Sequence, residues 1–356
     1  MSPSGRTALR SGVLLAMASA ALFGASTPLA KALLGRGVDA WLLAGVLYLG
    51  SGLGLAALRI GRRALGRTAG EAPLRRADVG WMALVILAGG VVGPLLLMLG
   101  LATTPASSAA LLLNLEGLAT MGIAWVVFRE NVDRRLLLGA GAILAGAALL
   151  SWQGGVAPVG VGALFIAGAC LAWGVDNNLT RKVSAADPVQ IAMLKGLVAG
   201  TVNLGIALGL GARLPRPELM LAAGAIGFLG YGVSLALFVL ALRSLGAART
   251  GAYFSTAPFV GAVLALSLFA EPVTVRLVVA ALLMGLGVYL HLTERHEHEH
   301  DHEPMTHEHA HVHDAHHQHA HSAEDPPGEP HVHVHRHGRL VHRHAHVPDL
   351  HHRHGH

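Results

Sequence analysis

A few polar side chains interrupt otherwise apolar stretches of this chain, and their types could bind an ion or a proton. Glu116 lies in one apolar run, two positions after Asn114. In another run, Asp176 is followed directly by Asn177 and Asn178. A charged group is costly to bury in apolar surroundings, so it usually has a partner or faces a cavity. Either carboxylate could therefore bind a cationic group or take up a proton.

Lys195 is a third ionisable residue inside an apolar run, and it leaves two readings open. It could balance charge or bind an anion in a polar cavity. Alternatively, it could form a structural ion pair with Asp176 that joins two helices. Glu116 has no obvious partner close in sequence, so we predict that it contacts solute.

Three further side chains are candidates for a solute pathway. Lys31 lies near the end of its apolar run, where a lysine can extend its charge to the membrane interface. A role in an outer gate is the alternative. Tyr231 and Tyr253 lie deeper in their runs and could line a cavity, but packing in the core would place them there equally well.

Histidine at nearly every second position marks the end of the chain. All 24 histidines lie at or after position 291. Neutral imidazole binds Zn, Ni, Cu and Co, and such binding is lost as the ring becomes protonated. We predict that this tail binds divalent metal collectively. The candidate ligands are His296, His298, His300, His302, His307, His309, His311, His313, His331, His333, His335 and His337.

The histidine-rich tail, residues 293–356, has almost no large apolar side chains. It cannot bury a core, so we predict a disordered segment. Whether metal on the tail is transported, sensed or buffered is left open by the sequence.

The residues before the tail form ten apolar segments of about 20 residues, the length of a membrane-spanning helix. The runs are continuous rather than alternating, so helices are predicted rather than a barrel. The fold class is therefore all-α integral membrane. The segments are 11–35, 38–60, 78–102, 106–128, 134–152, 158–181, 188–211, 217–241, 247–269 and 273–292.

The loops alternate in arginine and lysine content. The loop after the second segment is rich in arginine, for example, whereas no arginine or lysine follows the third. Basic loops stay in the cytoplasm. We therefore expect a multi-pass protein of the plasma (inner) membrane with both termini cytoplasmic. Topology also explains the pI of about 9.9, so nucleic acid is not a predicted partner.

A pattern, Phe-x-Glu-x-Val-x-x-Arg-Leu, begins at Phe128 and again at Phe269. It divides the chain into two five-segment units, residues 1–152 and 153–292. A unit with an odd number of spans must appear once in each orientation, as in many transporters. We interpret its carboxylates, Glu130 and Glu271, as helix caps rather than ligands.

The chain resembles the drug/metabolite transporter superfamily, in its EamA-type branch. It departs from that pattern in its long histidine tail and in Glu116-Gly117, where the second unit has Ala257-Pro258. The matching residues are Trp173-Gly174, Arg181-Lys182, Asp187-Pro188, Lys195 where the family usually has arginine, Glu130 and Glu271.

The resemblance implies two inverted five-helix repeats with a solute site between them. We expect a secondary transporter, and an exporter, of a small metabolite or toxic solute. No enzyme is predicted, and no cofactor is required. The partners are the lipid bilayer and a small solute, with a homodimer left open.

Two alternatives assign the metal a larger role. One is a divalent-metal exporter for nickel, cobalt or zinc, whose tail collects cytoplasmic ions. Against this alternative, we predict that the spans contain no histidine to bind a metal ion. The other is a membrane-anchored metal store or sensor, for which ten spans are excessive.

Overall fold

The computed structural model describes residues 3–66, 74–128, 132, 134–152, 159–180, 182–183, 186–245 and 247–293, and the tail segments 297–302, 305–311, 331–337 and 340–345. Three predicted functional residues, Glu130, His296 and His313, lie outside the described residues. Their roles stay predictions.

Fourteen α-helices lie in the described part before the tail. Those of the first unit are α1 (Pro3–Leu34), α2 (Ala40–Ala64), α3 (Val79–Val85), α4 (Gly93–Thr103), α5 (Ala106–Leu112), α6 (Leu115–Phe128) and α7 (Arg134–Ser151). Those of the second unit are α8 (Val161–Thr180), α9 (Pro188–Gly209), α10 (Pro217–Gly227), α11 (Ser234–Leu245), α12 (Ala247–Phe254), α13 (Ala257–Phe269) and α14 (Val275–Leu292).

The helices account for the ten predicted segments. By length and composition, nine helical stretches among the described residues are apolar enough to cross a membrane. The remaining segment is α8, where the consecutive polar residues Asp176, Asn177 and Asn178 lower the mean hydropathy of the helix. The all-α membrane fold predicted from the sequence is confirmed.

The third span of each unit contains a π-helical segment near its middle. The first segment, Ile86–Val92, joins α3 to α4, and the second, Phe228–Val233, joins α10 to α11. A π turn shifts the backbone hydrogen bonds by one residue and is common at functional sites. The two segments lie at matching places in the two repeats.

The fourth span of each unit is broken. In the first unit the break between α5 and α6 falls at Leu113 and Asn114, and Asn114 Nδ2 donates to the carbonyl of Leu111 at 2.7 Å. In the second unit the break falls just before Pro258, in the first turn of α13. Proline favours that position because the first helical N–H groups have no partner within the helix. Both breaks create helix ends inside the span.

Glycines bring α2 and α9 into backbone contact. A Cβ atom at Gly196 would lie 2.8 Å from the Cα of Gly52, and Gly45 lies against Leu204. Chain numbers rise along one helix as they fall along the other, so the pair is antiparallel. Gly200 lies equally close to the backbone of Leu49, so small residues on α9 let the two helices approach closely.

Gly205 and Gly209 have the same spacing on α9 but make no such contact. A Cβ atom at either position would meet no atom within 4 Å. These two glycines lie beyond the point where α2 and α9 cross. Their presence reflects the glycine-rich composition of the chain rather than helix packing.

Pairing of α7 with α14 repeats the arrangement of α2 with α9. Gly139 faces Gly287 and the ring of His291, and Gly146 faces Met284. The ring of His291 also lies 3.0 Å, through Nε2, from the carbonyl oxygen of Leu136. His291 is in the last turn of α14, so the expectation that the spans hold no histidine is wrong.

The described tail segments form four short strands. β1 (Glu297–His302) pairs antiparallel with β4 (Leu340–Ala345), and β2 (Met305–His311) with β3 (His331–His337). The alternation of residue types in this segment matches the two-residue period of a strand. Disorder of the tail stays a prediction.

Candidate functional site between α6, α8 and α9

Polar side chains on α8 link this helix to two neighbours near the middle of the bundle. Asp176, Asn177 and Asn178 are consecutive, so they point in different directions around the helix, which turns by 3.6 residues. Asp176 faces α9, whereas Asn177 and Asn178 face α6. These polar residues of α8 therefore form one site, which contacts α9 on one side and α6 on the other.

On the α9 side, the carboxylate of Asp176 forms an ion pair with Lys195. Thr180 Oγ1 donates a second hydrogen bond to Asp176, at 3.2 Å. The side chains are 6% exposed for Asp176 and 19% exposed for Lys195. The structural reading, an ion pair that joins the two helices, is the one observed.

On the α6 side, Asn177 Nδ2 donates to Glu116 Oε1 at 3.1 Å and to Thr120 Oγ1 at 3.1 Å. Glu116 lies in the first turn of α6, where the free N–H groups favour a negative charge. It is half-buried, and Asn177 is exposed. Among the side chains that the structure describes, Glu116 has no cation within ion-pair distance.

Asn178 is buried like Asp176, at 3% exposure. Its Nδ2 donates to the carbonyls of Thr120, at 3.0 Å, and Gly174, at 2.8 Å. Its Oδ1 atom is buried and accepts no hydrogen bond from the described residues. A buried acceptor without a donor costs free energy unless water or a ligand supplies the donor.

The first π-helical segment lies against the ion pair. A Cβ atom at Gly89 would overlap the carboxylate of Asp176. The carbonyl of Gly89 accepts hydrogen bonds from Tyr48 Oη at 2.8 Å and Trp173 Nε1 at 3.0 Å. Asn203 Nδ2 donates to the next carbonyl, Gly90, at 3.0 Å. Side chains from α2, α8 and α9 thus bind carbonyls of the π-helical segment.

Tyr48 also joins the two π-helical segments. Its ring centroid lies 5.6 Å from that of Tyr231, which belongs to the second segment. Tyr231 contacts Phe23 edge-on at 5.8 Å, and Phe23 contacts Phe254 at 5.3 Å. Tyr231 is therefore part of a row of aromatic rings that ends beside the polar site.

Three other predicted pathway residues lie elsewhere. Lys31 donates to the carbonyls of Leu101 and Ala102 at the end of α4, so it caps a helix. Asn114 is 8% exposed at the α5–α6 break and faces α14. Tyr253 packs against a small apolar cluster that contains Ala16, apart from the row of rings.

Glu271 is a helix cap, as predicted, but of a helix in the other repeat. Its carboxylate accepts hydrogen bonds from the backbone N–H groups of Ala106 at 2.7 Å and Ser107 at 3.1 Å, and from the Ser107 hydroxyl. These N–H groups begin α5 and have no partner within that helix. Glu271, in the second copy of the repeated pattern, therefore links the second unit to the first.

Four residues of this centre were missed from the sequence. Thr120 is one helical turn after Glu116, so the spacing could have revealed it. Asn203 is a fully buried polar residue in an apolar run and carried the same signal as Asn114. Tyr48 and Trp173 gave no signal, because their role depends on the π-helical segment.

Comparison with known proteins assigns a class to this arrangement. Residues 10–152 and 160–293 match the EamA-like transporter family, once over each unit. The chain belongs to the EamA-like transporter family. It is a multi-pass membrane transporter, and its two matched stretches correspond to the two sets of helices described above.

One relative and one solved structure are similar to this EamA-like transporter. A protein of Methanothermobacter thermautotrophicus named "Uncharacterized transporter" is 30% identical over 228 residues, which is 62% of this chain and 66% of that relative's length. A solved structure described only as the crystal structure of a protein has a TM-score of 0.57 at 19% identity, covering 79% of this chain and 95% of that one. The second likeness concerns the fold alone.

In the described membrane part of this EamA-like transporter, metal ligands do not gather in one place. Among the residues whose side chains the structure describes, no group of three or more histidine, cysteine, aspartate or glutamate residues could hold an ion. Cys170 is buried and lies 3.7 Å from the carbonyl of Leu112.

Proposed function

We propose that this EamA-like transporter exports a small solute with a cationic or hydrogen-bond-donating group, and that Glu116 binds that group. The observation that carries the proposal is the pairing of Glu116 with Asn177. The carboxylate is oriented by a neutral amide and has no described cationic partner.

Exposure supports the same assignment. Asn177 is exposed and Glu116 is half-buried at mid-span. Polar groups at this depth avoid lipid and face a water-filled space or another protein group. The accessible side of this pair is therefore suited to line a solute cavity between α6 and α8.

The free acceptor of Asn178 adds to the chemical preference. Together with the Glu116 carboxylate it offers acceptors and no positive charge. Lys195 is occupied by Asp176, so an anionic solute finds no free cation there. An amine or another cation with N–H groups matches this set.

Alternating access is supported by the duplicated breaks. Discontinuous helices at matching places in inverted repeats form the solute sites of many secondary transporters. In this chain the breaks lie between α5 and α6 and between α12 and α13. The basic loops favour cytoplasmic termini in a plasma (inner) membrane, and export is the direction we propose.

Reconstituted protein tests the proposal. Proteoliposomes are loaded with each of a panel of small organic amines, matched neutral analogues and matched carboxylates, and efflux is measured. We expect efflux of one or more amines that Glu116→Gln lowers at least tenfold. Glu218→Gln, at a 64%-exposed side chain on α10, is the control and keeps the rate. Unchanged efflux in Glu116→Gln removes Glu116 from the mechanism.

The runner-up is export of nickel, cobalt or zinc, with the tail collecting ions. His291, in the last turn of α14, brings the histidine pattern into the final span and favours this reading. Cells carrying the full protein, a protein that ends at Glu294, and Glu116→Gln are compared for metal content under excess nickel, cobalt and zinc. Metal content that is equal in all three ends the metal-export reading. An effect of truncation alone makes the tail a buffer.

A further inference from the structure

Lys182 and Trp81 form a contact at one end of the helical bundle, apart from the solute site. The ammonium of Lys182 lies 5.9 Å from the centroid of the Trp81 ring. A cation within about 6 Å of an indole ring is attracted by its π electrons. Both side chains are exposed, that of Trp81 to 40%. The contact therefore holds a positive charge in place without neutralising it.

Packing beneath this contact fixes the position of both residues. Lys182 lies in the connection between α8 and α9, and its neighbour Val183 is 2% exposed. Val183 packs in one apolar cluster with Met82 and Val85 of α3, which directly follow Trp81. The backbone N–H groups of Lys182 and Val183 donate to carbonyls of the last turn of α8, at 2.9 and 3.0 Å. The turn that carries Lys182 is therefore packed against the start of α3.

The acidic side chains described near this contact already have partners. Asp187 forms an ion pair with Arg59 at 3.1 Å and caps the start of α9. Asp78 accepts a hydrogen bond from the backbone N–H of Arg75 at 2.9 Å. Among the described side chains, Lys182 has no acidic partner within ion-pair distance. Its charge is therefore available to a ligand.

Other exposed cations lie at the same end of the bundle. A short 3-10 helical turn, Arg76–Asp78, leads into α3 and begins with the exposed Arg76. The last turn of α2 carries the exposed Arg62 and Arg63. Arg59 joins this end of α2 to the start of α9. Basic residues clustered beside a membrane span attract anionic headgroups, so the local charge favours an anion.

An exposed apolar stripe runs from Trp81 into the membrane span. Leu84 and Leu87 follow Trp81 at intervals of three residues, which brings them to one side of the helix. Their side chains are 47% and 55% exposed. All three residues belong to the span Arg76–Thr103, and tryptophan is enriched at the level of the lipid headgroups. An exposed cation and an exposed apolar stripe therefore meet at Trp81.

We infer that α3 and the α8–α9 connection together bind one anionic phospholipid. Its phosphate binds the Lys182 ammonium, and an acyl chain packs along Trp81, Leu84 and Leu87. A free phosphate ion would use the cation alone, and a neutral lipid would use the apolar stripe alone, whereas an anionic lipid uses both. This ligand is distinct from the transported solute, so the inference is independent of the role proposed for Glu116.

Lipid binding by the full-length protein tests this site. Protein in detergent is titrated with phosphatidylglycerol or with phosphatidylcholine of the same acyl chains, and bound lipid is counted by native mass spectrometry. We expect tighter binding of phosphatidylglycerol, which Lys182→Gln weakens about fivefold, the effect of one basic residue near an anionic lipid surface. Arg213→Gln is the control, because Arg213 is exposed in the α9–α10 connection, at the other end of α9.

Four results would overturn the lipid site. The first is equal binding of the two lipids by the unchanged protein, and the second is unchanged binding of phosphatidylglycerol in Lys182→Gln. The third is an equal loss in Lys182→Gln and Arg213→Gln, which would reduce the site to general attraction by positive charge. The fourth is competition by glycerol 3-phosphate as strong as that by the lipid, which would make the ligand a small anion.

Fluorescence tests the acyl-chain contact without changing Lys182. Phosphatidylglycerol and phosphatidylcholine brominated on their acyl chains quench a nearby indole. Because the chain has five tryptophans, quenching is measured in the unchanged protein and in Trp81→Leu, and the difference reports Trp81. We expect brominated phosphatidylglycerol to quench Trp81 more strongly than brominated phosphatidylcholine at the same concentration. Equal quenching by the two lipids overturns the inference, because Trp81 would then contact bulk lipid alone.

Discussion

Arg135 and Arg276 make the same hydrogen bond in opposite directions. Arg135 Nη1, at the start of α7, donates to the carbonyl of Thr293 just after α14, at 3.0 Å. Arg276 Nη1, at the start of α14, donates to the carbonyl of Trp152 just after α7, at 2.6 Å. Carbonyls at a helix end lack partners within the helix, and a cation is favourable there. The arginine of the repeated pattern therefore links the two units.

Loss of either arginine should loosen the α7–α14 pair. We expect Arg135→Ala and Arg276→Ala each to cost about 1 kcal/mol, because each removes one hydrogen bond from an exposed guanidinium. The measurement is the thermal midpoint of unfolding in detergent. The neighbouring Arg134→Ala is the control for charge alone, and a loss as large as that of Arg135→Ala would contradict the assigned role.

Removal of the Glu271 carboxylate should destabilise the start of α5. Glu271→Ala leaves the N–H groups of Ala106 and Ser107 without their acceptor. Losing a helix cap costs about 0.5–2 kcal/mol, which again lowers the thermal midpoint. Glu218→Ala, an acidic residue in the first turn of α10, is the matched control. Equal midpoints for both variants would exclude a capping role.

The Asp176–Lys195 pair should show strong coupling. Asp176→Asn alone leaves the ammonium of Lys195 without its ion-pair partner, and breaking a buried pair costs roughly 3–5 kcal/mol. Replacing both partners, as Asp176→Asn with Lys195→Met, should recover a large part of that loss. The four proteins of this cycle are compared by thermal unfolding. Losses that simply add would show that the pair does not hold α8 to α9.

A side chain at position 89 should not be tolerated. Gly89→Ala places a Cβ atom on the carboxylate of Asp176, so either the ion pair or the π-helical segment has to shift. We expect a lower yield of monodisperse protein and a lower thermal midpoint. Gly141→Ala, whose Cβ meets no atom within 4 Å, is the control. Wild-type behaviour of Gly89→Ala would contradict the close contact described here.

The sequence predicts the helices well because long apolar runs leave the backbone few alternatives in a membrane. It also predicts the Asp176–Lys195 pair as one of two readings, and it singles out Glu116, whose role in solute binding stays a prediction. The sequence does not predict the π-helical segments at Gly89 and Gly230. A shift of the hydrogen-bond ladder depends on donors such as Tyr48, which come from other helices.

Three predicted pathway residues lie apart from Glu116 for one common reason. Lys31, Asn114 and Tyr253 were grouped with Glu116 because each is polar and lies within a span. Position along a helix gives depth in the membrane but not the direction around the bundle axis. That direction depends on which helices are neighbours. Helix α8 contacts α9, the next helix in the chain, and also α6 of the other unit.

The two π-helical segments occupy matching places but contact different chemistry. Gly89 lies against Asp176 of α8, whereas Gly230 lies against Ser26 of α1. In a transporter with inverted repeats, opening and closing exchange the conformations of the two units. A change in the first segment must disturb its contact with the Asp176 carboxylate, whereas a change in the second disturbs only its contact with the Ser26 hydroxyl group. We therefore expect the two end states to differ in energy, so that the empty protein rests with one gate shut.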